Sequence, residues 1–420
     1  MYDLAGRLIE VYAENGADYN PAFAYDSANL TARYGYDANG NRTLFEDYDN
    51  GGLVFNAVVG DDDIDNQDRL LRYGNTTDGY TNYEYDLNGT LLRKETDGVE
   101  THYSCDSLGN LKSVILPGGS MVSYKVDGKN RRVSKSIDGA LKYHLVYKDD
   151  LNPIAELDAS GNVVSTFVYG TKMNIPDYMV SSKEGASTTY RNVSNHLGSP
   201  LLIVDASDGS VVQQYRYDEF GNVELVVDNS VNPASTGNGD EHLGFDFIPF
   251  GFAGGLYDEE TGFVRFGARD CDPHVGRWVA KDPIRFAGDG PNLYAYTLND
   301  PINFIDSEGL SALKHICKNK WLYYQICTDS GYELTPEKNR NRDDYNDCPI
   351  VDPTVCDDPN DDRNWVKTGD KVRGSDGSEC KYSKDHILEK EMTFNYGASP
   401  GTIEHLCEDV VPYCIWGPLY

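Results

Sequence analysis

The sequence predicts a mainly β protein built from repeated hairpins, and three observations carry that prediction. Tyrosine dominates the aromatic residues, with 31 Tyr against 14 Phe and 4 Trp among 420 residues, alongside 41 Gly. Aromatic side chains suit pleated strands, whereas Gly, Asp and Asn suit tight turns. A short unit also recurs: an aromatic, Asp, two or three variable residues, Gly, Asn or a substitute, then an apolar residue. The closest copies sit one hairpin apart, since Asp86, Asp106 and Asp127 follow one another by 20 and 21 residues.

Each part of the unit has a physical reason. Alternation such as Tyr83 and Tyr85, or Val211, Tyr215 and Tyr217, puts aromatic and apolar groups on one strand face. The Asp that follows can accept from its own backbone two residues on, and Gly or Asn accepts the positive φ of a tight turn. An apolar strand then returns. The copies are YDLAGRL at Asp3, YGYDANGNRT at Asp37, YEYDLNGTLLRK at Asp86, CDSLGNLKSV at Asp106, LDASGNVVSTFVYG at Asp158 and YRYDEFGNVELVV at Asp218. A single hairpin cannot bury its own face, so neighbouring copies must pair. These aspartates therefore read as turn formers, and the tyrosines as strand aromatics.

The formal charge of −31 excludes broad nucleic-acid binding by the repeat region, because phosphate contact requires a positive footprint. No segment has the apolar length of a transmembrane helix. The N-terminal stretch MYDLAGRLIEVYAENG lacks a basic segment followed by an apolar run, so no cleavable signal peptide is expected within this chain.

The repeats resemble the YD repeats of Rhs proteins. The segments 195–223 (NHLGSPLLIVDASDGSVVQQYRYDEFGNV) and 255–310 (GLYDEETGFVRFGARDCDPHVGRWVAKDPIRFAGDGPNLYAYTLNDPINFIDSEGL) resemble the Rhs-associated core that closes the repeat region. The resemblance implies a long hairpin sheet that curls into part of a shell (1–240), a compact core plug (241–310) and a variable C-terminal domain (311–420). The repeats here are few for a closed container, so either the copy is truncated or an upstream shell partner completes it.

The same resemblance implies self-cleavage. The family's site maps onto Arg269, Asp270 and Asp282, and the family chain is cut after the Leu of its closing motif, here Leu310, which makes Leu310–Ser311 the expected scissile bond. Two carboxylates that share a proton divide into an acid and a base, the chemistry of an aspartyl protease. Spacing leaves both Asp270 and Asp306 open as the partner of Asp282; Asp306 stands four residues from the bond. Arg269 would orient a carboxylate. On composition alone, Asp-Pro steps such as 282–283 are turn openers. Ser307 replaces the family's Pro in DSEGL, which predicts a looser turn and slower cleavage. Cys271 reads as a small buried hydrophobe.

Residues 311–420 hold seven of the nine cysteines without a CxxC pair, so disulfides, and not zinc, are expected in a small cysteine-rich tail of α+β or irregular structure. Its carboxylate-rich stretch 357–362 reads as a solvated loop. The tail's one cluster of catalytic residue types is His386, Glu404, His405 and Asp409, which the sequence also allows as surface residues. No metal or other cofactor is expected. The functional expectation is the C-terminal part of an Rhs-type polymorphic toxin, secreted or at the cell surface, that frees residues 311–420 for interbacterial competition. A secretion apparatus and a cognate immunity protein are its expected partners. The alternative is an uncleaved surface, adhesion or carbohydrate-binding protein with a disulfide-stabilised tail.

Overall fold

A computed structural model describes residues 1–13, 29–49, 52–183, 186–228 and 248–312, together with the backbone of four short strands between 366 and 392. Two compact units are present: Leu8–Ala312 with Met1, and Leu313–Tyr420 with Tyr2–Arg7.

The first unit is almost entirely antiparallel sheet. Fifteen strands, from Arg72–Asn75 to Val223–Asp228, pair in strict chain order. Four earlier strands, from Glu10–Tyr12 to Gly52–Val58, form a second sheet of the same kind. The two end strands of the long sheet, Arg72–Asn75 and Val223–Asp228, do not pair with each other, so it stays open.

The repeat aspartates are turn formers in atomic detail. Asp106 Oδ1 accepts from the Leu108 and Asn110 N–H groups at 2.9 and 3.0 Å, and the Gly109 N–H donates to the Asp106 carbonyl at 3.0 Å. Asp37, Asp127 and Asp158 repeat the pattern. The fourth turn residue takes the left-handed conformation, as in Gly109 at φ 84° and Asn130 at φ 62°. The fifth returns a side chain to the Asp, Asn162 or Arg131 among them.

The tyrosines bury one face of these sheets. Tyr73, Tyr83, Tyr103 and Tyr124 pack with Phe263, Val275 and Val279, and Tyr103 stacks on Phe263 with ring centroids 5.5 Å apart. Farther along, Phe167, Met179 and Tyr215 surround Phe250 and Leu256. Residues 248–312 thus form the filling of the sheet, organised on four short strands: Leu256–Asp258, Phe263–Phe266, Arg269–Asp272 and Arg277–Trp278.

Turns two strands apart fall at the same end of an antiparallel sheet, so the turns at Asp86, Asp106 and Asp127 share one rim of the long sheet. The Asp158 turn, between Pro153–Leu157 and Val163–Val168, falls at the other end. The filling hydrogen-bonds to turns of the shared rim and to the Asp37 turn of the earlier sheet. Asn299 Nδ2 donates to the Gly40 carbonyl at 2.8 Å, the Tyr294 hydroxyl to the Gly89 carbonyl at 2.6 Å, and Arg265 Nη2 to Asn110 Oδ1 at 2.6 Å. The spacing within a repeat showed a turn; that the turns also serve as a docking rim depends on partners up to 259 residues away.

In the second unit, Val366–Thr368, Lys371–Arg373, Glu379–Tyr382 and Leu388–Met392 pair in order as an antiparallel sheet. The expected tail disulfides and the cluster His386, Glu404, His405 and Asp409 lie outside the described residues.

Candidate functional site

The filling ends in the turn Asp306–Gly309, where the Gly309 N–H donates to the Asp306 carbonyl at 3.1 Å. This turn closes with Ser307 at its second position, so proline is not needed to form it. Gly309 has φ 64°, and a Cβ on it would run into the Phe266 carbonyl oxygen. Only glycine permits both the left-handed backbone and that approach. The Ala268 N–H donates to the Glu308 carbonyl at 2.9 Å, which ties the turn to the hairpin joining Phe263–Phe266 to Arg269–Asp272.

Arg269 leaves that hairpin and reaches the turn. Its Nε donates to the Gly309 carbonyl at 2.6 Å, and its Nη2 lies 3.1 Å from Asp306 Oδ2 and 3.0 Å from Asp282 Oδ2. The guanidinium stacks over Trp278, its carbon 4.0 Å from the ring centroid. Asp282 and Asp306 are therefore bridged by one nitrogen of a cation.

Asp306 Oδ1 accepts from the N–H groups of Leu310 and Ser311, at 2.9 and 3.0 Å. One carboxylate thus contacts the nitrogen of the Leu310–Ser311 bond. Asp282 approaches from the carbonyl side. A Cβ on Gly288 would stand 2.7 Å from Asp282 Oδ2 and 3.1 Å from the Leu310 carbonyl oxygen, so both oxygens converge on a space that glycine leaves open.

Asp289 is a third carboxylate, and the sequence reading missed it. Its Oδ1 accepts from the Ser311 hydroxyl at 2.6 Å, and its Oδ2 from the Ala312 N–H at 2.7 Å. It lies in AGDGPN, a stretch that reads as one more Gly/Asp turn; no local signal separates it from the repeat aspartates. Asp270 is not brought to the bond. It sits on a strand, where its two oxygens meet Arg132 Nη2 and Arg265 Nη1, both at 2.8 Å. Cys271 is a buried, unbridged thiol whose pKa burial pushes up. Among the described residues no cluster of His, Cys, Asp and Glu has the arrangement of a metal site.

Burial pushes the Asp306 carboxyl up to about 6, against the pull of Arg269 and the two N–H groups and with a further push from Asp289. Asp282 is raised as well, by burial first, again opposed by Arg269. A carboxyl whose folded value exceeds its unfolded one favours folding in its protonated form. Its contribution is complete below the ordinary value of 3.8 and is lost as pH rises through about 6. The unfolding free energy of the wild type relative to Asp306→Asn is therefore expected to fall between about pH 4 and 6, by an amount on the order of 1–3 kcal/mol. Urea titrations of both chains across that range measure it, and a flat difference would remove the charge assignment.

Residues 1–302 match the Teneurin YD-shell family. The chain belongs to that family. It is a YD-repeat protein of the Rhs type, and its YD-shell extends from the first repeat into the filling. Over 231 residues it is 31% identical to the tRNA nuclease WapA of Bacillus subtilis (strain 168), covering 54% of this chain and 9% of that protein. Over 315 residues it is 27% identical to Teneurin-3 of Mus musculus, covering 72% of this chain and 10% of that one. The match thus spans about a tenth of the length of these curated relatives. The crystal structure of TcdB2-TccC3-TEV overlaps 72% of this chain and 18% of its own at 16% identity, with a TM-score of 0.37.

Proposed function

We propose that the YD-shell unit hydrolyses its own Leu310–Ser311 bond and so frees residues 311–420 from the shell. The observation that carries this reading is the position of that bond, held with its nitrogen against Asp306 and its carbonyl oxygen beside Asp282, with Arg269 bridging the two acids.

The chemistry balances with water alone. Asp282, made more basic by burial, takes a proton from a water molecule as its oxygen bonds to the Leu310 carbonyl carbon. Asp306, protonated for part of the time near pH 6, gives a proton to the Ser311 nitrogen as the C–N bond breaks. The proton gained by one acid equals that lost by the other, and exchange with solvent restores the pair. Arg269 holds both acids in place and, through its Nε, fixes the Gly309 carbonyl next to the reacting residue. Asp270 has a structural role in this scheme.

The freed segment is read as the effector of a secreted or surface-exposed toxin used against competing cells. The tRNA nuclease relative supports that reading for a shell of this kind. Purified wild-type chain is expected to give two masses by intact mass spectrometry, one ending at Leu310 and one beginning at Ser311. Asp282→Asn should stay whole, and cells exposed to it should grow better than cells exposed to the wild type. A single intact mass for the folded wild type would end the proposal.

A further inference from the structure

Three carboxylates, of Asp282, Asp289 and Asp306, surround Leu310, Ser311 and Ala312, and one cation, Arg269, is paired with two of them. Asp289 meets the side of the bond that would depart. It receives the Ser311 hydroxyl on one oxygen and the Ala312 N–H on the other, a two-point contact that fixes the segment in register. A residue without a side-chain hydroxyl at position 311 would take this donor from half-buried Asp289, next to buried Ser311 and Ala312.

Resting on the cleavage reading above, we infer that Asp289 is the recognition residue for the departing segment. It selects the hydroxyl of Ser311 and, with Asp306, holds the new Ser311 amine once the bond is cut. The second half follows from charge. An α-amine at a chain start is largely protonated at neutral pH. The Ser311 nitrogen already stands 3.0 Å from Asp306 Oδ1, and its own side chain reaches Asp289. Cutting the bond therefore places a new cation within reach of the Asp306 and Asp289 carboxylates. The severed segment stays seated through an ion pair that did not exist before the reaction, and salt weakens that hold.

The test uses the full chain with one affinity tag at each end. Cleavage is followed on gels at pH 7.5, and fragments are recovered through either tag in 0.15 M and 1 M NaCl, concentrations on the order of one Debye length of 8 and 3 Å. Wild-type fragments are expected to co-purify at low salt and to separate more at high salt. Asp289→Ala and Ser311→Ala should each cut about 10-fold slower or more, the scale of one charge-assisted hydrogen bond. The double variant should be little slower than either single one, because the two side chains act through one contact. Ser311→Ala removes a single oxygen and keeps the test valid where Asp289→Ala fails to fold. Fragments that separate freely at low salt, or single variants that cut at the wild-type rate, overturn the inference and leave cleavage standing. A wild-type chain that is never cut overturns cleavage, and this inference with it.

Discussion

Replacing Arg269 with leucine is expected to leave the chain uncut and to lower its unfolding free energy by about 3–5 kcal/mol. One guanidinium serves both acids, the Gly309 carbonyl and the Trp278 ring. Without it, Asp282 and Asp306 lose their shared counter-ion in a place where water replaces little of it, and burial then drives both toward the neutral form. A neutral Asp282 is no base. Arg269→Lys separates the two effects: the ammonium restores a charge but cannot span both carboxylates while also meeting Gly309. The lysine chain should recover part of the stability and little of the cleavage. Urea unfolding with mass spectrometry on the same samples measures this, and a leucine variant that is cut at the wild-type rate rules the role out.

The second large effect falls on Asp270 and has the opposite character. Asp270→Ala should cost about 3–5 kcal/mol of stability, because it takes the carboxylate partner from buried Arg265 and leaves buried Arg132 with only the longer, 3.7 Å pair to Asp258. Burial already holds the Arg265 pKa below its ordinary value, with Asp270 opposing that shift. Arg132 also stacks over Tyr124 at 4.0 Å, and Arg265 reaches Asn110, so the loss spreads from the filling into two YD strands and a YD turn. The fraction of Asp270→Ala that folds, at low temperature or with a stabilising osmolyte, is expected to cut within a few-fold of the wild-type rate. Folded Asp270→Ala that stays whole would instead place Asp270 in the reaction.

These two neighbours, Arg269 and Asp270, show how far the sequence could be read. The hairpin rule reached the strands and turns because everything it needs lies within one repeat: Asp, Gly and the returning Asn or Arg act over four residues. The resemblance to the Rhs-associated core, and not the hairpin rule, pointed to Arg269 and Asp282, and it left both Asp270 and Asp306 open as the second acid. It could not tell Asp270 from Asp306, since adjacent residues of a strand point to opposite faces and the faces are defined only by what packs there. Asp289 was illegible for a related reason. Its partners, Ser311 and Ala312, lie 22 and 23 residues away across a stretch without regular strands, and no periodic pattern spans that distance.

The filling of the sheet also sets a timetable for the growing chain. Tyr73, Tyr83, Tyr103 and Tyr124 leave the ribosome well before Phe263, Val275 and Val279, the residues that cover them. At about 5–20 residues per second, a lag of roughly 140 residues is on the order of 10–30 s. Throughout that interval a broad aromatic face meets water, and neighbouring nascent chains, with nothing of its own to close over it. The yield of folded protein should then depend on translation speed and on chaperones that shield aromatic sheet surface.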